Sequence, residues 1–204
     1  MDMRISRLKV NMSANGIDAV IIRKPETAFY FSNFNPVLNS HPAFVVVTLD
    51  AEPCLLVHSI RCAHAKEEGA LKRVELYGKW GANVPMAGKA ADAIRLLVGK
   101  EKLCLGMELD DISMDFYQEI QEVLHPDKIV SVSGLVNMMK IIKDEYEISC
   151  IRKSARLVDR GVETAIHALE RGCSEAEAAT EGQYAMRKLW HEKFPDMEVC
   201  GFGT

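Results

Sequence analysis

No apolar run in the 204-residue sequence approaches the roughly 20 residues needed to cross a bilayer, so no membrane span is expected. A basic stripe is missing too. The 25 Lys and Arg face 29 Asp and Glu, and a net charge of -4 argues against a nucleic-acid binder, which needs clustered cations to neutralise phosphates. The opening MDMRISRLKV is amphipathic and lacks the charged flank and apolar run of a secretory leader, so a cytoplasmic protein is expected. None of the cysteines, at positions 54, 62, 104, 150, 173 and 200, has a CxxC partner. They read as reduced, buried thiols rather than disulfides or metal ligands. GxSxG, GxxxxGK[ST] and GxGxxG are all absent, and the closing GFG is too short to cradle phosphate. At His191-Glu192 a zinc-binding HExxH would need its second His at Phe194 or Pro195, so that motif fails.

What remains is an ordinary globular composition, 48% hydrophobic and 26% charged, enough to bury a core. Residues 3–15 put Ile5, Leu8 and Met12 on one helical face, and Asn15-Gly16 supplies a stop. AVII (19–22) is a short apolar run of the kind that buried strands show. After Pro25, TAFYFSNF (27–34) is apolar with turn residues at its end. AFVVVTL (43–49) and CLLVH (54–58) flank Asp50-Ala51-Glu52-Pro53 and predict a β-hairpin. The pattern then predicts a helix from Ile60 to Glu68, a strand at RVELY (73–77), a helix over 86–98, a strand at 103–107, a helix from Ser113 to Leu124, and a strand at 128–132. Strands alternating with helices point to an α/β domain whose mixed, mostly parallel sheet is flanked by helices.

Near residue 134 the alternation stops. Asp144 and Glu147 have capping-box spacing, and behind them Ile148, Ile151, Ala155, Val158, Val162, Ala165 and Leu169 form an apolar seam that needs a partner surface. Arg171-Gly172 closes this helix. Ser174 and Glu177 open another that runs to about Trp190. We therefore expect one domain over 1–133 and the incomplete start of a second over 134–204.

No catalytic residue and no metal ligand is assigned. His64, Glu67 and Glu68 have metal-capable spacing on a helix, but a salt-bridged helix face explains them as well. Glu108, Asp110, Asp111 and Asp115 crowd a strand end and a helix start, where carboxylates complement the positive helix terminus without any ion. The stiff loop NPVLNSHP (35–42) holds Asn39 and His41 between Pro36 and Pro42, and YGKWG (77–81) holds Trp80. Each reads either as ordinary surface packing or as a contact to a substrate or partner subunit.

Taken in order, these segments resemble the Xaa-Pro aminopeptidase, prolidase and creatinase family of "pita-bread" metallohydrolases. RISRLKVNMSANGIDAVIIRKPETAFYFSNF is similar to the family's opening, with Arg7, Leu8, Met12, Gly16, Ile17, Asp18, Ala19, Tyr30, Ser32 and Phe34 matching and Asn33 where Gly is usual. VELYGKW (74–80) resembles a stretch of the creatinase-like branch. MKIIKDEYEISCIRKSARLVD (139–159) resembles the start of the catalytic domain, and ALERGCSEAEAA (168–179) the segment after it. The resemblance implies that residues 134–204 are the opening two helices of an α+β pita-bread domain. It also implies that the full-length protein is a dinuclear hydrolase of C–N bonds acting on a small peptide or a small amide or amidino substrate. Two divalent ions (Mn, Co or Zn) would be held by two Asp, one His and two Glu, all beyond Thr204 in the family's order. Such ions activate a bridging water for attack on the substrate carbon. The chain alone would hold no cofactor and would be inactive. A homodimer is implied, with Asn39, His41 and Trp80 as contacts to substrate or the partner subunit. A creatinase-like hydrolase, or a non-catalytic binding or dimerisation module derived from the family, are the alternatives.

Overall fold

In the computed structural model, residues 2–35, 41–78 and 86–197 are described. They form helix α1 (Asp2–Ala14), strand β1 (Ala19–Ile22), α2 (Pro25–Ser32), β2 (Phe44–Thr48) and β3 (Cys54–His58). A short 3-10 turn (Ser59–Arg61) leads into α3 (Cys62–Glu68), followed by β4 (Arg73–Tyr77), α4 (Met86–Val98), β5 (Cys104–Met107), α5 (Met114–Leu124), β6 (Lys128–Ser131) and α6 (Ser133–Ile141). Two further helices, α7 (Glu145–Glu170) and α8 (Glu175–Lys193), follow.

The six strands make one sheet in the order β4-β3-β2-β1-β5-β6. Three of its five pairings are parallel (β1 with β5, β5 with β6, β3 with β4) and two are antiparallel (β1 with β2, β2 with β3). The expected mixed, mostly parallel sheet is therefore present, and the 43–58 hairpin supplies its antiparallel members. Every residue of β1 and of β3 is buried, which is why β1 and residues 54–57 of β3 read as unbroken apolar runs.

Alternation along the strands builds two cores. Val20, Ile22, Val45, Val47, Leu55 and Val57 point to one face, which α1, α2, α3 and α6 cover with Leu8, Met12, Phe31, Ala65, Val136 and Met139. Ile21, Phe44, Val46, Leu56, Leu105 and Met107 point to the other, covered by Ala90 and Ile94 of α4 and Phe116 and Ile120 of α5. Each fully buried Ile, Leu or Phe contributes about 1.5–3 kcal/mol relative to exposure. Gly106 in β5 has a packing reason: a Cβ there would lie 2.6 Å from Val132 and 3.0 Å from Val20. Lys9 of α1 donates to the Leu49 and Ala51 carbonyls at 3.1 and 2.7 Å, pinning the hairpin turn.

The chain divides into compact units Met1–Ile141 and Ile142–Thr204, not at 133/134. The physical reason is α6. β6 needs a helix to cover its inner face, and α6 buries Val136 and Met139 in the first core. The strand–helix alternation thus ends one helix later than expected.

Within the second unit both capping boxes form, Asp144 with Glu147 and Ser174 with Glu177. Of the expected apolar seam, Ala165 faces α8, 3.4 Å from where a Cβ on Gly182 would stand, but most of its larger members do not. Ile151, Val158, Val162 and Leu169 are 51–54% exposed, whereas Leu157, Gly161 and Ala168 are buried. Small residues decide this. α8 approaches so closely that a Cβ on Gly182 would lie 2.8 Å from the Gly161 carbonyl oxygen, and one on Gly161 would lie 2.6 Å from Met186.

Candidate functional site

Five strands run in one direction, so β1, β3, β4, β5 and β6 all finish at the same rim of the sheet. β2 alone is reversed, which places its entry, at Pro42-Ala43, on that rim as well. In open α/β sheets ligands bind outside the carboxyl ends of strands, at the point where successive connections leave toward opposite faces. Here that point lies between β1 and β5: β1 leads to α2 on one face and β5 to α5 on the other.

One half of the rim is aromatic. The His41 ring meets that of His58 with centroids 4.6 Å apart, and His58 meets Tyr77 at 5.5 Å, both edge-on. His58 is buried, and its Nδ1 accepts from the Ile60 backbone N–H at 3.4 Å. The Tyr77 hydroxyl donates to the Pro42 carbonyl. Burial holds the Tyr77 phenol well above its usual range, against the opposing pull of Arg23. Gly78 lies flat on the His58 imidazole at φ +62°, and a Cβ there would stand 2.4 Å from the ring. The roots of segments 36–40 and 79–85 are thereby tied together. His41 sits in this cluster, while Asn39 and Trp80, the other two expected contacts, lie outside the described residues.

The other half is ionic. Thr27 of α2, wholly buried, donates to Glu108 Oε1 at 2.8 Å and accepts from Lys140 Nζ at 3.1 Å. Glu108 is only 5% exposed and its Oε2 is buried without a hydrogen-bond partner. Burial raises its carboxyl above the usual range, while the Thr27 hydrogen bond and the Lys140 charge pull the other way. Beside it Asp110 accepts from Ser133 and pairs with Lys24 at 3.3 Å. Those contacts, Ser133 first, hold Asp110 below the ordinary carboxylate range, and the Asp110 hydrogen bond and charge raise Lys24. Arg23 reaches the Asp111 carbonyl at 3.4 Å.

The carboxylates grouped in the sequence do not converge on an ion. Asp115 belongs to the first turn of α5, behind the Ser113 cap, and Asp110 is engaged by Ser133 and Lys24. His64 Nε2 pairs with Glu68 at 2.7 Å, the salt-bridged helix face. Among the described residues no group of three or more His, Cys, Asp or Glu could hold a metal, so these residues do not fit a dinuclear centre. Cys54 is the one buried thiol among the described cysteines, and burial pushes it up to about 11, against nucleophilic use. Thr27, His58, Tyr77 and Glu108 are buried and engaged within the rim, while His41, Lys24 and Lys140 are its partly exposed members.

The profile of the creatinase/prolidase N-terminal domain matches residues 4–142. The chain belongs to this family. The match ends within a residue of the first unit. The Xaa-Pro dipeptidase of Pyrococcus furiosus is 28% identical over 193 residues, covering 95% of this chain and 50% of its own length. The creatinase of Bacillus sp. (strain B-0618) is 26% identical over 199 residues, covering 98% and 47%. The prolidase structure from Pyrococcus furiosus superposes with a TM-score of 0.75 at 26% identity, over 90% of this chain and 52% of that one. The chain spans about half the length of the curated relatives it matches, and corresponds to their amino-terminal part. The creatinase/prolidase fold, a mixed sheet with flanking helices, is what the resemblance led one to expect.

Proposed function

We propose that this creatinase/prolidase-type chain is the non-catalytic, substrate-flanking portion of a metal-dependent hydrolase of C–N bonds, Xaa-Pro dipeptidase-like in activity. The observation that carries the reading is similarity to an Xaa-Pro dipeptidase along 95% of the chain. Residues 142–204 open the catalytic domain in this reading. The two divalent ions belong to residues other than those described here. The complete protein is cytoplasmic and pairs as a homodimer, in which the rim with His41, and the segments carrying Asn39 and Trp80, flank the substrate of the partner subunit. Its hydrogen-bonding groups suit a short peptide better than a lipid or nucleic acid, and no helix among the described residues is long and apolar enough to cross a membrane.

A creatinase-like reading, with a small amidino or amide substrate, draws on the creatinase match over 98% of the chain. One assay separates the two. The complete protein, supplied with manganese, cobalt or zinc, is offered Xaa-Pro dipeptides and creatine. Turnover of the dipeptides supports the first reading, turnover of creatine the second, and turnover of neither supports a binding or dimerisation module. The 204-residue chain alone is expected to turn over none of them, and activity above background in it would defeat the division of labour proposed.

A further inference from the structure

We infer that Glu108, Thr27 and Lys140 form a proton-sensitive latch that holds the last turn of α6 to the carboxyl rim of the first unit. Three elements meet in it. Glu108 follows β5, Thr27 sits in the first turn of α2, and Lys140 is one residue from the end of α6, the helix with which the unit closes. Thr27 has a single hydroxyl proton and gives it to Glu108 at 2.8 Å, so it can receive Lys140 only as an acceptor, at 3.1 Å. The direction of the chain is therefore fixed: ammonium to hydroxyl to carboxylate. Such a chain polarises along its length, and an ionised Glu108 strengthens the grip on Lys140.

The other charged groups around Glu108 are Lys24, beyond β1, and Asp110, beyond β5. They oppose each other in sign and are paired with one another at 3.3 Å. Lys140 is thus the cation coupled to Glu108 through Thr27, on a helix otherwise docked by Val136 and Met139. Tyr30 adds a neutral tie, its hydroxyl donating to the Met139 carbonyl at 3.3 Å. When Glu108 takes up a proton the carboxylate end of the chain loses its charge. The neutral contacts keep α6 on the sheet, but its final turn loosens.

The Lys140 charge favours ionised Glu108, and by linkage ionised Glu108 favours bound Lys140. Two measurements on the full chain test this. The first follows the Glu108 side-chain carboxyl by carbon-13 NMR against pH, in the wild type and in Lys140→Met. The latch requires a midpoint that is higher in Lys140→Met than in the wild type. An unchanged midpoint in the variant overturns it. The second reads hydrogen-exchange protection of residues 138–141, corrected for intrinsic rates. Protection is expected to fall several-fold as pH drops through the wild-type midpoint, and to stay level in Glu108→Gln, while that of the β2–β3 hairpin falls in neither. A loss of protection that is the same in Glu108→Gln overturns the proposal. Should Glu108→Gln fail to fold, Thr27→Val removes the bridging hydroxyl, and a Lys140→Met effect of undiminished size in that background overturns it equally.

Discussion

At the scale of single residues, Gly78 shows how a motif can be legible while its reason is not. The YG pair stands out in the sequence as part of a family-like stretch, yet nothing there says that a histidine twenty residues upstream lies beneath the glycine. The structure supplies two reasons together, a left-handed backbone and an imidazole face with no room for a Cβ. Gly78→Ala is expected to lower unfolding free energy by about 2 kcal/mol or more, combining conformational strain with displacement of a packed ring. Urea denaturation of the full chain measures it, and a loss below a few tenths would contradict the packing. Tyr77→Phe removes only the hydroxyl that reaches Pro42 and should cost about 1 kcal/mol. On the proposed hydrolase reading of the complete protein, His41→Ala should raise KM several-fold with kcat largely kept, because a residue flanking the substrate would supply uniform binding. An intact KM would remove His41 from the proposed substrate contacts.

At the scale of elements, strands and helices were legible because each obeys a local period. The 43–58 hairpin, the helices capped by Ser113, Asp144 and Ser174, and the strand at 128–131 all stand where their patterns place them. What the pattern misreads is the partner. The apolar stripe from Ile151 to Leu169 announces a helix correctly, but α8 packs on the stripe of Leu157, Gly161 and Ala168, since glycines let two backbones touch. A hydrophobicity count gives glycine no weight, so that face is invisible to it. Gly182→Ala should therefore cost about 1–3 kcal/mol in the helical pair, read as lower melting of its helical signal. Ala179→Gly in the same helix is the control, because it is exposed and carries only the propensity penalty. The ionic half of the rim was illegible for another reason. Thr27, Glu108 and Lys140 are far apart in sequence and follow no period, and only the closing of the sheet unites them.

At the scale of the whole chain, the two units differ in how completely they enclose apolar surface. The first shields both faces of its sheet with helices. In the second, Tyr146, Ile151, Val158, Val162, Ile166 and Leu169 all remain half-exposed or more. Hydrogen exchange should consequently be faster across 145–193 than across the β2–β3 hairpin, because local opening there exposes little that was buried. Equal protection would contradict this. The first unit also carries a pH signature. Glu108 titrates above its unfolded value, so its contribution to stability is fully present below the ordinary Glu range and is lost as pH rises through the folded midpoint. Urea midpoints taken across that window should decline in the wild type and stay flatter in Glu108→Gln.

The reversed strand β2 has an evolutionary corollary. Because it enters where its neighbours leave, the chain at His41-Pro42 and the chain at Tyr77-Gly78 meet beside the same histidine, and the registered pairs of β2 and β4 stay within 44–48 and 73–77. Sequence change outside those pairs leaves the register of β2 and β4 in place. A scaffold so arranged lets descendants diversify what they recognise while inheriting the framework intact.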